Sequence, residues 1–156
     1  MLTLSLTQPW ASLVAAGAKR IETRSWNTKI RGPIAIHAAK GFPGYAKSFC
    51  ESRMVCRALG WPECAGGLTQ EWLDENARCI KSLPLGQVIA TARLVDSFET
   101  SLIRRYIQPF TLQEEAFGDY GPGRYGFLLD DVVKLAVPIS ARGALGFWQW
   151  NFPEAA

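Results

Sequence analysis

The stretch Gln8–Trp26, Q-P-W-A-S-L-V-A-A-G-A-K-R-I-E-T-R-S-W, carries a helix, its stop and a charged strand. Pro9 stands near the helix start, where a missing N–H costs nothing. Trp10, Leu13 and Val14 recur at i, i+3 and i+4, which predicts one apolar face and a buried Trp10. Gly17 can take the left-handed conformation that ends the helix, so Lys19 is expected in a surface turn. Past it the chain reads as a strand over 21–26, with Ile21 and Thr23 on one face and Glu22, Arg24 and Trp26 on the other. Lys19 and Glu22, three apart, converge only if Lys19 belongs to the turn. A helix, turn and strand with merely solvated charges has the same pattern.

Outward from this stretch, strands are expected over 2–6, 33–39, 87–95, 125–129 and 143–150, with V-I-A-T-A-R-L-V at Val88–Val95 apolar on both faces as a closed or covered sheet requires. Helices are expected within 46–59, 69–82, 102–107 and 112–117, and Thr69 with Glu71 marks a capped start. Strands dominate the beginning and end of the chain, and helices fill the middle. No internal repeat or low-complexity tract is present.

Of the 156 residues, 48% are hydrophobic and 20% charged, the balance of an ordinary globular chain long enough to bury a core. No window approaches the roughly 18 apolar residues of a membrane span, and Met-Leu-Thr-Leu-Ser-Leu lacks the basic start and apolar run of a signal peptide. A cytoplasmic protein with no membrane partner is expected. Net charge is only +3, but it is unevenly spread. Residues 1–57 hold nine Lys or Arg against two acids, a charge of +7, and the rest hold eight against twelve, a charge of −4. That asymmetry suits a phosphate-facing surface, although a solvated basic face has the same composition. Cys50, Cys56, Cys64 and Cys79 form no C-x-x-C pair, so free buried thiols are expected rather than a metal site. His37 is the only histidine, which excludes mechanisms that need two imidazoles.

The order Q-P-W-A, G-x-K, E-x-R in Gln8–Trp26 resembles the signature of the ASCH domain family, a branch of the PUA-like superfamily. R-G-P-I-A-I-H-A-A-K at Arg31–Lys40 resembles the family's next strand. F-G-D-Y-G-P-G-R-Y-G-F-L-L-D-D-V at Phe117–Val132 is similar to its late loop and strand, and P-I-S-A-R-G-A-L-G-F-W at Pro138–Trp148 to its closing strand. The resemblance implies an α+β fold, a small PUA-like β-barrel of five to six strands with flanking helices. It implies a single domain over 1–156 with a helical insertion at about 41–84. The interior of so small a barrel is filled by side chains, so a ligand must sit in a surface cleft at a barrel end.

The family's cleft lies beside the turn that holds Lys19, and in PUA-like relatives it takes RNA or a modified base. The implied partner is therefore RNA, single-stranded nucleic acid or a modified nucleoside, with no cofactor and no metal. The ligand-facing residues are then Arg24, Ser25, Trp26, His37, Lys40, Asp119, Arg124 and Tyr125. Arg124 would hold a phosphate and Tyr125 would stack on a base, unless Tyr125 is core at the start of its strand. Chemistry is also open. One branch of the family removes the acyl group of N4-acetylcytidine with a lysine matching Lys19, a hydroxyl residue where this chain has Glu22, and a later glutamate, for which Glu115 and Asp119 are both in position. In that reading Lys19, Glu22 and Glu115 are catalytic. A lysine serves as base only if burial or neighbouring cations lower its pKa, whereas an adjacent carboxylate such as Glu22 keeps it protonated. Metal-independent RNA cleavage is the other alternative, with Glu22 or His37 taking the 2′-hydroxyl proton and Lys19, Arg24 and Arg124 stabilising the phosphate. A purely protein-binding role would use the insertion with Trp61 and Trp72, residues that equally suit a small core of their own.

Overall fold

The computed structural model of the chain describes residues 1–64 and 66–151. Leu4 and Leu6 of β1 (Leu2–Leu6) are buried, and α1 (Trp10–Ala15) follows. Gln8 caps this helix by accepting the Ser12 N–H at 3.1 Å on its side-chain oxygen. Gly17, with φ +72°, closes the other end. Its N–H donates to the Val14 carbonyl at 2.8 Å while the Ala18 N–H donates to Leu13 at 2.9 Å. This paired pattern satisfies the last helical carbonyls and turns the chain sharply. Leu13 and Val14 are fully buried, but Trp10 is only half-buried, a departure from the buried ring expected of it. It stacks on Phe49 instead, with ring centroids 5.3 Å apart.

The remaining elements are β2 (Ile21–Arg24), β3 (Gly32–Ala38), α2 (Gly44–Phe49), α3 (Arg53–Leu59), α4 (Gln70–Lys81), β4 (Gln87–Glu99), α5 (Thr100–Tyr106), α6 (Leu112–Ala116), β5 (Tyr125–Ser140) and β6 (Phe147–Gln149). Thr69 caps α4 as expected, accepting the Trp72 N–H at 3.2 Å. Trp61 and the α3 residue Val55 pack with Leu13 and Phe117, so this part of the helical segment is fastened to α1 rather than standing on a separate core. Trp72 is buried, its indole donating to the Pro62 carbonyl at 3.0 Å. Cys50 and Cys56 are buried too, their thiols donating to backbone carbonyls.

The class is α+β, with six strands in one mixed sheet of order β2-β5-β4-β3-β1-β6. β1 and β3 run parallel and every other pair is antiparallel. β4 and β5 are longer than the sequence pattern indicates because Asp130–Asp131 reads as a turn and is a bulge. Asp131 sits at φ +48°, a conformation an aspartate tolerates. The register there steps from Arg93↔Asp130 to Thr91↔Val133. Bulges of this kind bend a strand and increase its twist, and the pair carries three such shifts. The sheet therefore curls into a half-barrel. Its two edge strands approach through side chains. Trp26, just past β2, sets its ring edge-on to Phe127 at 5.0 Å and to Phe147 of β6 at 5.7 Å, and Arg24 donates to the Ser5 carbonyl of β1 at 2.7 Å. The last strand is shorter than the expected 143–150, because residues 141–146 form an open loop.

Candidate functional site

Lys19 is not in a surface turn. It is fully buried, among the largest side chains with no exposure at all. The turn after Gly17 directs it inward, where its ammonium donates to the Ile21 carbonyl and, at 2.8 Å, to the Phe117 carbonyl. Its third neighbour is Glu22 Oε2 at 3.5 Å. Three protons thus meet three acceptors. Burial lowers the Lys19 pKa from the usual lysine value, while the Glu22 and Glu114 carboxylates pull it back up. The expectation that Glu22 alone decides the protonation of Lys19 is corrected by this: loss of water around the amine outweighs the carboxylate.

Glu22 is itself buried and lies between two cations, since Arg24 Nε stands 3.1 Å from Oε1. That contact is an ion pair without hydrogen-bond alignment, and the guanidinium is held through its donation to Ser5. Below them Glu114 is buried and accepts the Ile21 N–H at 2.9 Å and the Arg20 N–H at 3.0 Å. The carboxylate drawn into the Lys19 surroundings from the late helix is therefore Glu114 and not Glu115. Glu115 forms an outward ion pair with Arg104 and lies outside the cleft. The sequence did contain the signal: Glu114 stands three residues before the buried Phe117, on the same face of a helix.

A cleft of about 540 Å³ opens above this ionic layer. Glu22, Thr23 and Arg24 form its floor, and Phe117–Asp119 with Arg124 form one wall. The loop path of that wall is fixed locally: the Asp119 N–H donates to Thr23 Oγ1 at 2.9 Å, its carboxylate accepts the Gly121 N–H at 3.0 Å, and Arg124 Nε lies 3.2 Å from Asp119 Oδ2. The opposite wall was not read from the sequence. It is made by Trp10, Phe49 and Tyr45, the last 69% exposed and 6.3 Å from Trp10 between ring centroids. Ala144–Gly146 from the loop before β6 close the rim.

Of the other expected residues, Trp26 and Tyr125 pack against the main core instead of lining the cleft. Both follow the geometry of β2 paired with the start of β5, where Arg24 faces Tyr125 in register. Ser25 is exposed beyond the strand end and also lies off the cleft. His37 is buried and lines a neighbouring cavity together with Lys40. Its Nδ1 is 3.0 Å from Ser5 Oγ, its Nε2 is 3.2 Å from the Ala141 carbonyl, and Trp148 donates to the same Ser5 hydroxyl at 3.0 Å. A single assignment satisfies the set: Nε2–H donates to Ala141, and Nδ1 accepts from Ser5. Neither nitrogen is then free to take a ribose proton, which removes His37 as the base of RNA cleavage.

Burial lowers the His37 pKa from its usual 6.5, with the Ala141 hydrogen bond opposing. The unfolded chain therefore binds the proton first as pH falls. Full stability is present above pH 6.5 and is lost below it, down to the lowered folded-state value, at up to about 1.4 kcal/mol per pH unit. Urea unfolding between pH 7 and 5 is expected to show this slope, and His37→Gln to flatten it. An unchanged slope in the variant would contradict the assignment.

The basic half of the sequence does not map onto the cleft as a block. Arg31 pairs with Asp96, while Arg53 and Arg57 reach Glu63. The cations that line the two cavities are Arg24 and Lys40 from the first half and Arg124 and Arg142 from the second. Comparison with known proteins fits this architecture. A sequence model of the ASCH domain matches residues 4–118. Activating signal cointegrator 1 of Homo sapiens is 52% identical over 40 residues, covering 26% of this chain and 7% of that protein. The Mus musculus protein of the same name is 57% identical over 35 residues, covering 22% of this chain and 6% of its own length. The matched stretch thus spans under a tenth of these relatives. The crystal structure of ASCH from Zymomonas mobilis aligns over 89% of this chain and 72% of its own at 20% identity, with a TM-score of 0.47. Among the described residues, no helix is long and apolar enough to cross a membrane.

Proposed function

Because this chain belongs to the ASCH domain family, matched over residues 4–118, we propose that its cleft binds single-stranded RNA. The observation that carries this reading is the meeting of two guanidinium groups and open aromatic rings in one cavity, Arg24 and Arg124 across from Trp10 and Tyr45. A phosphate takes the guanidinium, and a base takes the aromatic face. Glu22 and Asp119, also on the lining, are acceptors for base amino groups or a ribose 2′-hydroxyl.

Recognition fits the geometry better than hydrolysis of an N4-acylated cytidine or of RNA. A catalytic amine must reach the reacting carbonyl, and that of Lys19 is sealed beneath Glu22 with its protons committed. Lys19 and Glu22 act in this account as a fixed foundation for Arg24. The test is anisotropy of a labelled hexauridylate across a salt series. Binding should tighten as salt falls, log affinity changing by about 0.7 per log salt for each phosphate contacted. Absence of binding at low salt, or an affinity indifferent to salt, would overturn the proposal.

A further inference from the structure

The cavity that holds His37 and Lys40, about 800 Å³, adjoins the first and shares Ser5, Ala39, Ala144 and Leu145 with it. Its lining carries two cations, Lys40 and Arg142, both exposed and neither in an ion pair among the described residues. Between the two cavities stands Leu145, 99% exposed. An apolar side chain this open is unexplained by folding, since burying it contributes stability that the chain forgoes.

We propose that this second cavity is a separate nucleotide subsite, so that the preferred ligand is at least a dinucleotide with Leu145 wedged between its two bases. Apolar side chains do separate neighbouring bases in this way in other complexes. Lys40 and Arg142 receive the phosphate next to the one held by Arg24 and Arg124. The inference rests on the RNA-binding reading of the first cleft.

The loop that makes the divider is set by contacts already described. His37 fixes the Ala141 carbonyl, and Gly143 lies so close to the imidazole that a Cβ there would fall 2.3 Å from His37 Cε1. Only glycine fits that approach. The buried histidine, unsuited to take a proton, therefore serves as the clamp that presents Arg142 and Leu145. A ridge held before the ligand arrives costs little ordering on binding.

The experiment compares uridine 5′-monophosphate, the dinucleotide UpU and hexauridylate on the wild type and on the double variant Lys40→Ala with Arg142→Ala. On the wild type UpU should bind about tenfold tighter than the mononucleotide. The double variant should hold the mononucleotide within about twofold and lose most of that gain, and its salt slope for hexauridylate should fall by about 1.4, which is 0.7 for each lost phosphate contact. Both side chains are exposed, and Lys40→Gln with Arg142→Gln, checked by circular dichroism, gives a second variant with the same expectation. If the mononucleotide binds and UpU binds no tighter, or if the variants keep the full gain, the second subsite is refuted while the first cleft stands. If neither the mononucleotide nor any oligonucleotide binds the wild type, both readings fall together.

Discussion

Lys19→Met should destabilise the folded chain by about 3–5 kcal/mol, the loss usual when one member of a buried charge pair is removed. Methionine fills most of the volume, so the effect isolates the charge and its hydrogen bonds. Without the ammonium, Glu22 Oε2 and the carbonyls of Ile21 and Phe117 lose their donor in a region closed to water. For a chain of this length the melting temperature should fall by about 6–20 °C. Urea unfolding of the two proteins measures the difference directly. A loss below about 1 kcal/mol would mean that Lys19 is solvated, as its place after a turn-forming glycine first implies. The same placement argues against turnover. Wild-type protein incubated with N4-acetylcytidine is expected to release no acetate, and release would return Lys19 to the catalytic reading.

Tyr45→Ala and Arg124→Ala should each leave the fold in place and weaken RNA binding. Tyr45 is largely exposed, and Arg124 gives up only contacts to Asp119. Loss of a stacking ring costs about 1–3 kcal/mol per base, a weakening of about 5- to 150-fold. Arg124→Ala should also lower the salt slope by about 0.7, whereas Tyr45→Ala should leave it unchanged. That contrast separates phosphate contact from stacking. An unaltered affinity in both variants would place the RNA elsewhere. Arg24→Ala is less informative, since it also strips a partner from buried Glu22 and from the Ser5 carbonyl.

Local rules explain which features could be read early. Gly17, the Thr69 cap and the paired apolar residues Leu13 and Val14 depend on contacts within a few positions, and all three are found as expected. The site depends on longer reach. Lys19 is buried because Phe117, ninety-eight positions later, brings a carbonyl to it. The five residues of α6 are too few for periodicity to decide whether Glu114 or Glu115 turns inward. Tyr45 enters the cleft only because α2 folds back onto Trp10, a tertiary contact that no spacing in the sequence announces. Trp26 belongs to the core for a similar reason, since the curl of the sheet carries Phe147 across to meet it.

The central claim is that RNA occupies the cleft above Glu22 and Arg24, and amide chemical shifts recorded during titration with hexauridylate at low salt test it most directly. The account predicts shifts concentrated at Thr23, Arg24, Gly118, Asp119, Ala144 and Leu145, all on the cleft lining, while the exposed outer positions Val133 and Val137 of β5 stay still. Shifts centred on β5, or none at saturating RNA, would contradict it.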